Sequence, residues 1–479
     1  MMSCAPPGRL SFPSAPLERT DTGWLYDVDR NGVVDFSLAA DESGALDLLA
    51  YDDDEDGHVD RIYRLSAYED DAVPHVIIML DSIAFRTAAM MYDQGELPLF
   101  HSPVKVIPPF PSMSEVIFAT LLHTAPQPGM INRHYDRRTG ATNNMILKRA
   151  FGKPVPMDSR LDYRLRYWEG GMMFLSPRPW FHAEMKRAKA AVDDNPLPVS
   201  ILYFASTAGL VSKYGESGAT ESLTGIMQLC MQLLYERQGA IKISLLADHG
   251  HNYREGQRFD LEALLEDAGF NPTSRLNRPE DVVIDVDGMV NYSGLHTYDA
   301  ATVARIVTEG APVQIVAYME GERVIVRSKR GEAAILYRDG LYHYEVVTGD
   351  VLDYALILEQ LADDGDEGTL NSATGEAWFA ATVDHQFPNA VPRLWHAFHG
   401  LAINPPDVML AFDGGYYYGL GQFEWYIDMA STHGGIDQNN SATFVMSMTN
   451  RVQRPMTSSE VLPTIEPAFL TKGGTSKQP

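Results

Sequence analysis

At 479 residues the chain is long enough for two or three domains, and 45% hydrophobic with 21% charged residues is the balance of a soluble protein with a sizeable core. A formal net charge of -26, with a pI near 4.8, argues against a nucleic-acid duplex as partner, because there is no basic excess to neutralise backbone phosphates. Two cysteines, Cys4 and Cys230, exclude a disulfide framework or a zinc-thiolate site, and no run approaches the roughly 18 apolar residues of a membrane span.

Residues 1 to about 20 are Pro-rich, and no basic segment followed by an apolar stretch marks a signal peptide. Cys4 sits either as an exposed N-terminal cysteine or where a mature lipoprotein cysteine would sit, so the compartment stays open, with an extracytoplasmic one suspected. Residues 24–65 form an acidic repetitive unit. Asp27-Val28-Asp29-Arg30-Asn31-Gly32-Val33-Val34-Asp35 fits D-x-[DN]-x-[DN]-G-x-x-D, and Asp52-Asp53-Asp54-Glu55-Asp56-Gly57-His58-Val59-Asp60 fits it again. Between them, Asp41–Asp47 echoes the last half. Carboxylates at alternate positions converge as such a loop curls, which suits calcium. The expected ligands are Asp27, Asp29, Asn31 and Asp35 in the first turn, and Asp52, Asp54, Asp56 and Asp60 in the second. Leu38 and Tyr63 stand where an EF-hand needs its bidentate glutamate, and the flanks alternate like strands, so the turns belong to a β-type unit. Solvated acidic turns without an ion are the plainer reading of the same pattern.

From about 70 to 280, apolar runs alternate with helical patterns, as in a mostly parallel sheet with helices on both faces. Strands are predicted at 75–80, 199–205 and 241–247, and helices at 114–123, 179–192, 219–237 and 260–268. Cys230 falls in an apolar helical pattern and reads as a core thiol. Two of the strands stop on acidic residues: His75–Leu80 on Asp81-Ser82, and Ile241–Ala247 on Asp248-His249-Gly250. In a parallel sheet both ends open on one edge, where α/β proteins build their sites. A carboxylate and an imidazole side by side there can hold a metal. Pro111-Ser112-Met113-Ser114 opens an apolar helix, where unpaired N–H groups favour an alkoxide or a phosphate, though a serine there is equally an ordinary helix cap.

Residues 281–424 change texture, with hairpin material at Glu322–Arg327 and Tyr342–Val346, and read as an inserted α+β cap; 425–462 rejoin the core, and 463–479 read as a disordered tail. Near the end, Ser431-Thr432-His433-Gly434 precedes a buried run at 441–447. Tyr163–Trp168 and Tyr416-Tyr417-Tyr418 read as packing more readily than as substrate pockets.

The order Asp81, Ser114, Asp248-His249-Gly250, His433-Gly434 resembles the alkaline phosphatase superfamily, in its type I phosphodiesterase and nucleotide pyrophosphatase branch. The Pro-[Thr/Ser]-x-[Thr/Ser] segment of that branch is matched by Pro111-Ser112-Met113-Ser114. Its Gly-x-x-x-Asn followed by Tyr-Asp is matched, one residue short, by Gly129-Met130-Ile131-Asn132 and Tyr135-Asp136. The resemblance covers roughly 75–270 and 425–450. It implies a metal-dependent hydrolase of small phosphate esters, with Ser114 as nucleophile passing through a phosphoserine. A zinc, manganese or magnesium ion would be held by Asp81, Ser114, Asp248 and His249, and Asn132 would contact a phosphate oxygen. The family's second metal takes an Asp and a His from Asp-x-x-Gly-His. Here the stretch is Ser206-Thr207-Ala208-Gly209-Leu210, so His433 is left as the remnant of that site and a single metal is expected. His251 reads as a surface histidine. The missing pair leaves two alternatives open: a catalytically inactive relative acting as a binding module, and a one-metal phospho-group transferase. No Cys/Ser-x-Pro-x-Arg segment follows Asp81, which argues against a sulfatase. Substrate identity and oligomeric state are not legible.

Overall fold

Six-residue apolar runs with no polar interruption find burial on both faces only inside a covered sheet. The structure, a computed structural model, describes residues 10–41, 46–67, 73–145, 156–166, 169–286, 288–363, 371–419, 429–449 and 452–469. In it, His75–Leu80 and Lys242–Ala247 are buried at every position. They lie in a six-stranded sheet in the order Val199–Phe204, His75–Leu80, Lys242–Ala247, Thr443–Ser447, Val104–Ile107, Met456–Thr457. Thr443–Ser447 runs antiparallel to both its neighbours and the other pairings are parallel. The mixed α/β class expected from the alternation is what forms.

Alternate residues of these strands face two helical layers. Ile78, Leu80, Phe204 and Leu245 pack with residues of the helices Pro177–Asp194 and Glu216–Glu236, including the buried thiol of Cys230. Ile77, Met79, Tyr203 and Leu246 pack with Phe118 of Ser114–Leu121 and with Val461 and Leu462 of Ser458–Ile465. That last helix, and a turn at Pro467–Phe469 whose Phe469 is buried, carry the packed core past residue 463, where a disordered tail was expected. Leu462, Ile465 and Phe469 supply the apolar contacts that order it. Residues 470–479 lie outside the described residues.

A second sheet of nine strands runs Asn271–Pro272, Asp281–Ile284, Tyr292–His296, Val408–Phe412, Val313–Glu320, Arg323–Ser328, Gly331–Arg338, Leu341–Gly349, Ser372–Ala373. The hairpin signals at 322–327 and 342–346 fall within it. Helix Ala300–Gly310 packs on one face, and Gly375–Thr382 and Ala390–Phe398 pack on the other. Of the stretch 425–450, residues 425–428 and 450 lie outside the described residues; the rest contributes one strand, Thr443–Ser447, and a short helix, Gln438–Ser441.

The N-terminal unit is a five-stranded antiparallel meander in chain order, Glu18–Thr20 to Arg61–Arg64. Its aromatic face is not independent of the core. Phe12, Phe36 and Tyr51 meet Tyr235 of the helix Glu216–Glu236 at ring distances of 5.7, 5.1 and 5.4 Å. No helix among the described residues is long and apolar enough to cross a membrane.

Candidate functional site

Strand register builds the site. Leu80 pairs with Phe204 on one side and Ala247 on the other, so Asp81, Ala205 and Asp248 leave the sheet at one level. Thr443–Ser447 runs the other way, so the loop before it, which carries His433, returns to the same edge. Ser82 turns the chain with φ 68, a left-handed conformation unusual for a residue with a side chain. The turn pays back in hydrogen bonds: Ser82 Oγ donates to Asp81 Oδ1 at 2.6 Å and Ser82 N donates to Asp248 Oδ1 at 3.1 Å. Gly250 is needed for close approach, since a Cβ there would lie 2.7 Å from the Ala442 carbonyl oxygen.

Asp81, Asp248 and His249 are buried and offer three ligand atoms that all lie within 4.8 Å of one another. His249 Nδ1 lies 2.9 Å from the Gly250 carbonyl, which can only accept, so the neutral ring carries its proton there and Nε2 keeps its lone pair. Nε2 faces Asp81 Oδ1 at 3.7 Å and Asp248 Oδ2 at 3.6 Å. Asp248 Oδ2 is buried with no hydrogen-bond partner. Burial, reinforced by Asp248, pushes the Asp81 carboxyl up to about 7, and burial does the same to Asp248. Burial lowers the pKa of His249 and so keeps it neutral. Two carboxyl groups and a neutral imidazole converge here, with His249 Nε2 turned toward both acids. One nitrogen and two oxygens fit zinc, and the oxygens also fit manganese or magnesium.

Ser114 Oγ lies 3.3 Å from His249 Nε2. Ser114 is the first residue of its helix, and Met113 occupies the cap position with no side-chain cap, so neither serine of the Pro-Ser-Met-Ser segment is a helix cap. Ser112 is buried; its hydroxyl accepts from Arg393 Nη2 at 3.2 Å and its carbonyl accepts from His433 Nδ1 at 3.1 Å. The His433 ring stacks on His249 at 4.1 Å and 16° but is not one of the clustered ligands. His251 is fully buried rather than a surface histidine. Its Nδ1 meets the Ser431 hydroxyl, its ring lies 5.1 Å from His433, and its Nε2 has no partner. The Thr432 and Ser431 loop covers it, which its Asn and Tyr sequence neighbours did not reveal. The Asn132 amide donates to the Glu115 carboxylate, one residue from Ser114. Gly129 lets the backbone lie against the His134 ring, which a Cβ would strike at 2.2 Å.

At the end of Val199–Phe204 the chain enters the helix Ser206–Tyr214 at once. Leu210 points into the apolar core and is completely buried. The Ser206 hydroxyl and the backbone N–H groups of Ala205 and Ser206 all donate to Glu184, a fully buried acid on the helix Pro177–Asp194. Burial pushes Glu184 up to about 8. Tyr203 donates its hydroxyl to Asp81 Oδ2. Glu184 and Tyr203 were missed from the sequence. The available signals were a glutamate on the buried face of an amphipathic helix, and a tyrosine directed by strand alternation toward the Asp81 side.

The acidic turns both sit at one end of the meander, after Gly23–Tyr26 and after Leu46–Tyr51. Asp27, Asp29 and Asp35 cluster in the first, and Asp52, Asp54 and Asp60 in the second. Asp56 stands outside these groups and accepts from His58 N, and the Asn31 amide donates to Asp29 and to the Glu55 carboxylate at 2.5 Å. The echo at 41–47 forms no such turn in its described part. Asp47 is buried and accepts from the Ser66 backbone and hydroxyl; Glu42–Ala45 lie outside the described residues. Cys4, Tyr167 and Trp168 also lie outside them. Arg164 pairs with Asp158 at 3.0 Å, and Tyr418 is buried with its hydroxyl on Glu262.

No family model and no curated protein matches the sequence. Among solved structures, murine ectonucleotide pyrophosphatase/phosphodiesterase 5, in an inactive form in complex with AMP, superposes with a TM-score of 0.45 at 9% identity over 82% of this chain and 94% of that one. The human protein superposes with 0.45 at 9% identity over 83% and 95%. The chain is similar to the ectonucleotide pyrophosphatase/phosphodiesterases.

Proposed function

We propose that the chain is a metal-dependent hydrolase of small phosphate esters, with Ser114 as nucleophile and one metal held by Asp81, Asp248 and His249. The observation that carries this reading is the convergence of one ligand atom each from the buried Asp81, Asp248 and His249 within 4.8 Å, with the Ser114 hydroxyl 3.3 Å from His249 Nε2. Buried acceptors that face one another cost free energy unless a cation joins them. When bound, a divalent ion supplies the positive charge that lowers the cost of a serine alkoxide and offsets charge on the phosphate.

The chain's own groups do the rest. Ser114 Oγ gives its proton to solvent and attacks phosphorus in line; an O–P bond forms and the bond to the leaving oxygen breaks, that oxygen taking a proton from water, giving a phosphoserine. Water then cleaves that O–P bond and returns the hydroxyl. The unpaired N–H groups at the start of Ser114–Leu121 face the developing negative charge. His249 is held in one tautomer by Gly250. His433 is held by the Ser112 carbonyl and kept neutral by burial, so it offers a lone pair at the site and not a proton. Asn132 supports the site through Glu115.

Ser114→Ala with zinc added should lower turnover of an aryl phosphodiester by on the order of a thousandfold or more while leaving metal binding intact. An unchanged rate discards the nucleophile. A second reading, a binding module without catalysis, is favoured by the way Glu184, Ser206 and Leu210 close the neighbouring strand end. No turnover of aryl mono- or diesters by the wild type with zinc, manganese or magnesium would favour it.

The acidic turns are read as calcium sites that order the N-terminal meander. Three carboxylates per turn are tolerable together once an ion neutralises them.

A further inference from the structure

A carboxylate ligand has two oxygens, and which of them faces an ion is set by what holds the other. At Asp248 the backbone does the holding. Oδ1 accepts from Ser82 N at 3.1 Å and from His249 N at 2.8 Å, and Oδ2 stands 3.6 Å from His249 Nε2. At Asp81 the oxygen nearer His249 Nε2 is Oδ1, at 3.7 Å, and Oδ2 accepts from the Tyr203 hydroxyl. Ser82 Oγ donates to Oδ1 itself and so does nothing to keep Oδ2 turned away. The far side of this carboxylate is held by one phenol, which is a donor near neutral pH.

The sheet puts that phenol in place. Tyr203 pairs with Met79 on the neighbouring parallel strand, two residues before Asp81, and is buried in the layer that also holds Phe118. Its ring meets Phe118 edge to face, at 4.6 Å and 81°. Phe118 lies one turn after Ser114 on the same helix, so the ring is seated by the element that carries the candidate nucleophile. The strand end grips the Asp81 backbone as well. Asp81 N donates to the Phe204 carbonyl at 3.1 Å and to Thr207 Oγ1 at 3.0 Å, and that hydroxyl lies 2.7 Å from the Asp81 carbonyl. Ser206 and Leu210 supply no metal ligand, yet Tyr203, Phe204 and Thr207 around them brace the ligand on the adjacent strand.

We propose that Tyr203 is a positioning residue of the metal site: its hydroxyl holds Oδ2 of Asp81 back, so that Asp81 serves as a one-oxygen ligand through Oδ1. The proposal rests on the reading of Asp81, Asp248 and His249 as metal ligands, and it stands whether or not Ser114 is a nucleophile.

The test compares the full chain with Tyr203→Phe, which removes one oxygen and keeps the ring against Phe118. The wild type should bind zinc in titration against a competing chelator, and Tyr203→Phe should bind it about 10–100-fold more weakly. Melting of the two metal-free proteins shows that the substituted chain is folded and separates lost stability from lost grip on the metal. Cobalt(II) in place of zinc gives a second readout. With Oδ2 released, both Asp81 oxygens reach the ion, its coordination number rises, and the visible absorption loses intensity relative to the wild type. A zinc affinity or a cobalt spectrum that Tyr203→Phe leaves unchanged would overturn the proposal, whatever the substitution does to melting. A wild type that binds neither ion would overturn the metal reading itself, and that failure shows before any substitution is compared.

Discussion

Asp248→Asn should make the metal-free protein more stable and the metal-loaded protein less so. The native carboxyl titrates near 7 against 3.8 unperturbed, because burial opposes its charge. A carboxyl held near 7 instead of 3.8 carries a penalty for being charged on the order of 4 kcal/mol. The folded state binds this proton more tightly than the unfolded state. The penalty is therefore absent below about pH 4, grows between pH 4 and 7, and is complete above 7. Asparagine keeps the acceptor used by Ser82 N and His249 N but leaves an amide group where Oδ2 had no partner, which costs about 1–3 kcal/mol. The balance favours the variant by about 1–3 kcal/mol at pH 8, a shift of a few degrees in melting temperature. Scanning calorimetry with a chelator at pH 8 and at pH 4.5 reads the first effect, and the gain should vanish at the lower pH. Adding zinc at about a thousand times its dissociation constant should stabilise the wild type by roughly 4 kcal/mol and the variant by far less. A metal-free variant less stable than the wild type at pH 8 would refute the idea of an uncompensated buried pair. Equal stabilisation by zinc would remove Asp248 from the ligand set.

Elemental analysis of the purified chain should give one transition metal, since Ser206 and Leu210 supply no ligand at the neighbouring strand end; two would refute single occupancy. Glu184→Gln should be nearly neutral at pH 4, where the acid is protonated folded and unfolded, and should gain stability relative to the wild type as pH rises to 8, because the unfolded acid ionises above about 4.5 while the buried native acid holds its proton up to about 8. Urea unfolding at the two pH values checks this, and a pH-independent difference counts against a neutral buried acid. Calcium titration should find two sites per chain, one of them lost in Asp35→Asn; a stoichiometry unmoved by that substitution would reduce the first turn to a solvated loop.

The parts of the site that could be read in advance are those where strand pattern and chemistry coincide. Asp81 and Asp248-His249 interrupt apolar runs at the end of adjacent parallel strands, and register alone brings them together. Ser114 is marked by the proline-rich segment that opens its helix. The groups that escaped reading act on partners remote in sequence. Glu184 serves Ser206, Tyr203 serves Asp81, and Arg393 serves Ser112 across the boundary between the two sheets. His251 escaped for the opposite reason, since its neighbours Asn252 and Tyr253 suggest solvent while a loop from residues 431–432 closes over it. The nine-stranded sheet was visible only as scattered hairpins, because pairings such as Val313–Glu320 with Val408–Phe412 join segments far apart in the chain.

The aromatic face of the N-terminal meander has a consequence for how the chain is made. Phe12, Phe36 and Tyr51 are complete early in synthesis, yet Tyr235, the ring they all touch, emerges about 170 residues after the meander ends. At about 5–20 residues per second that interval is on the order of 10–30 s. For that time the nascent unit carries a bare apolar face and two unneutralised acidic turns, so the ribosome-bound chain is most exposed to miscontact before its six-stranded sheet and covering helices exist.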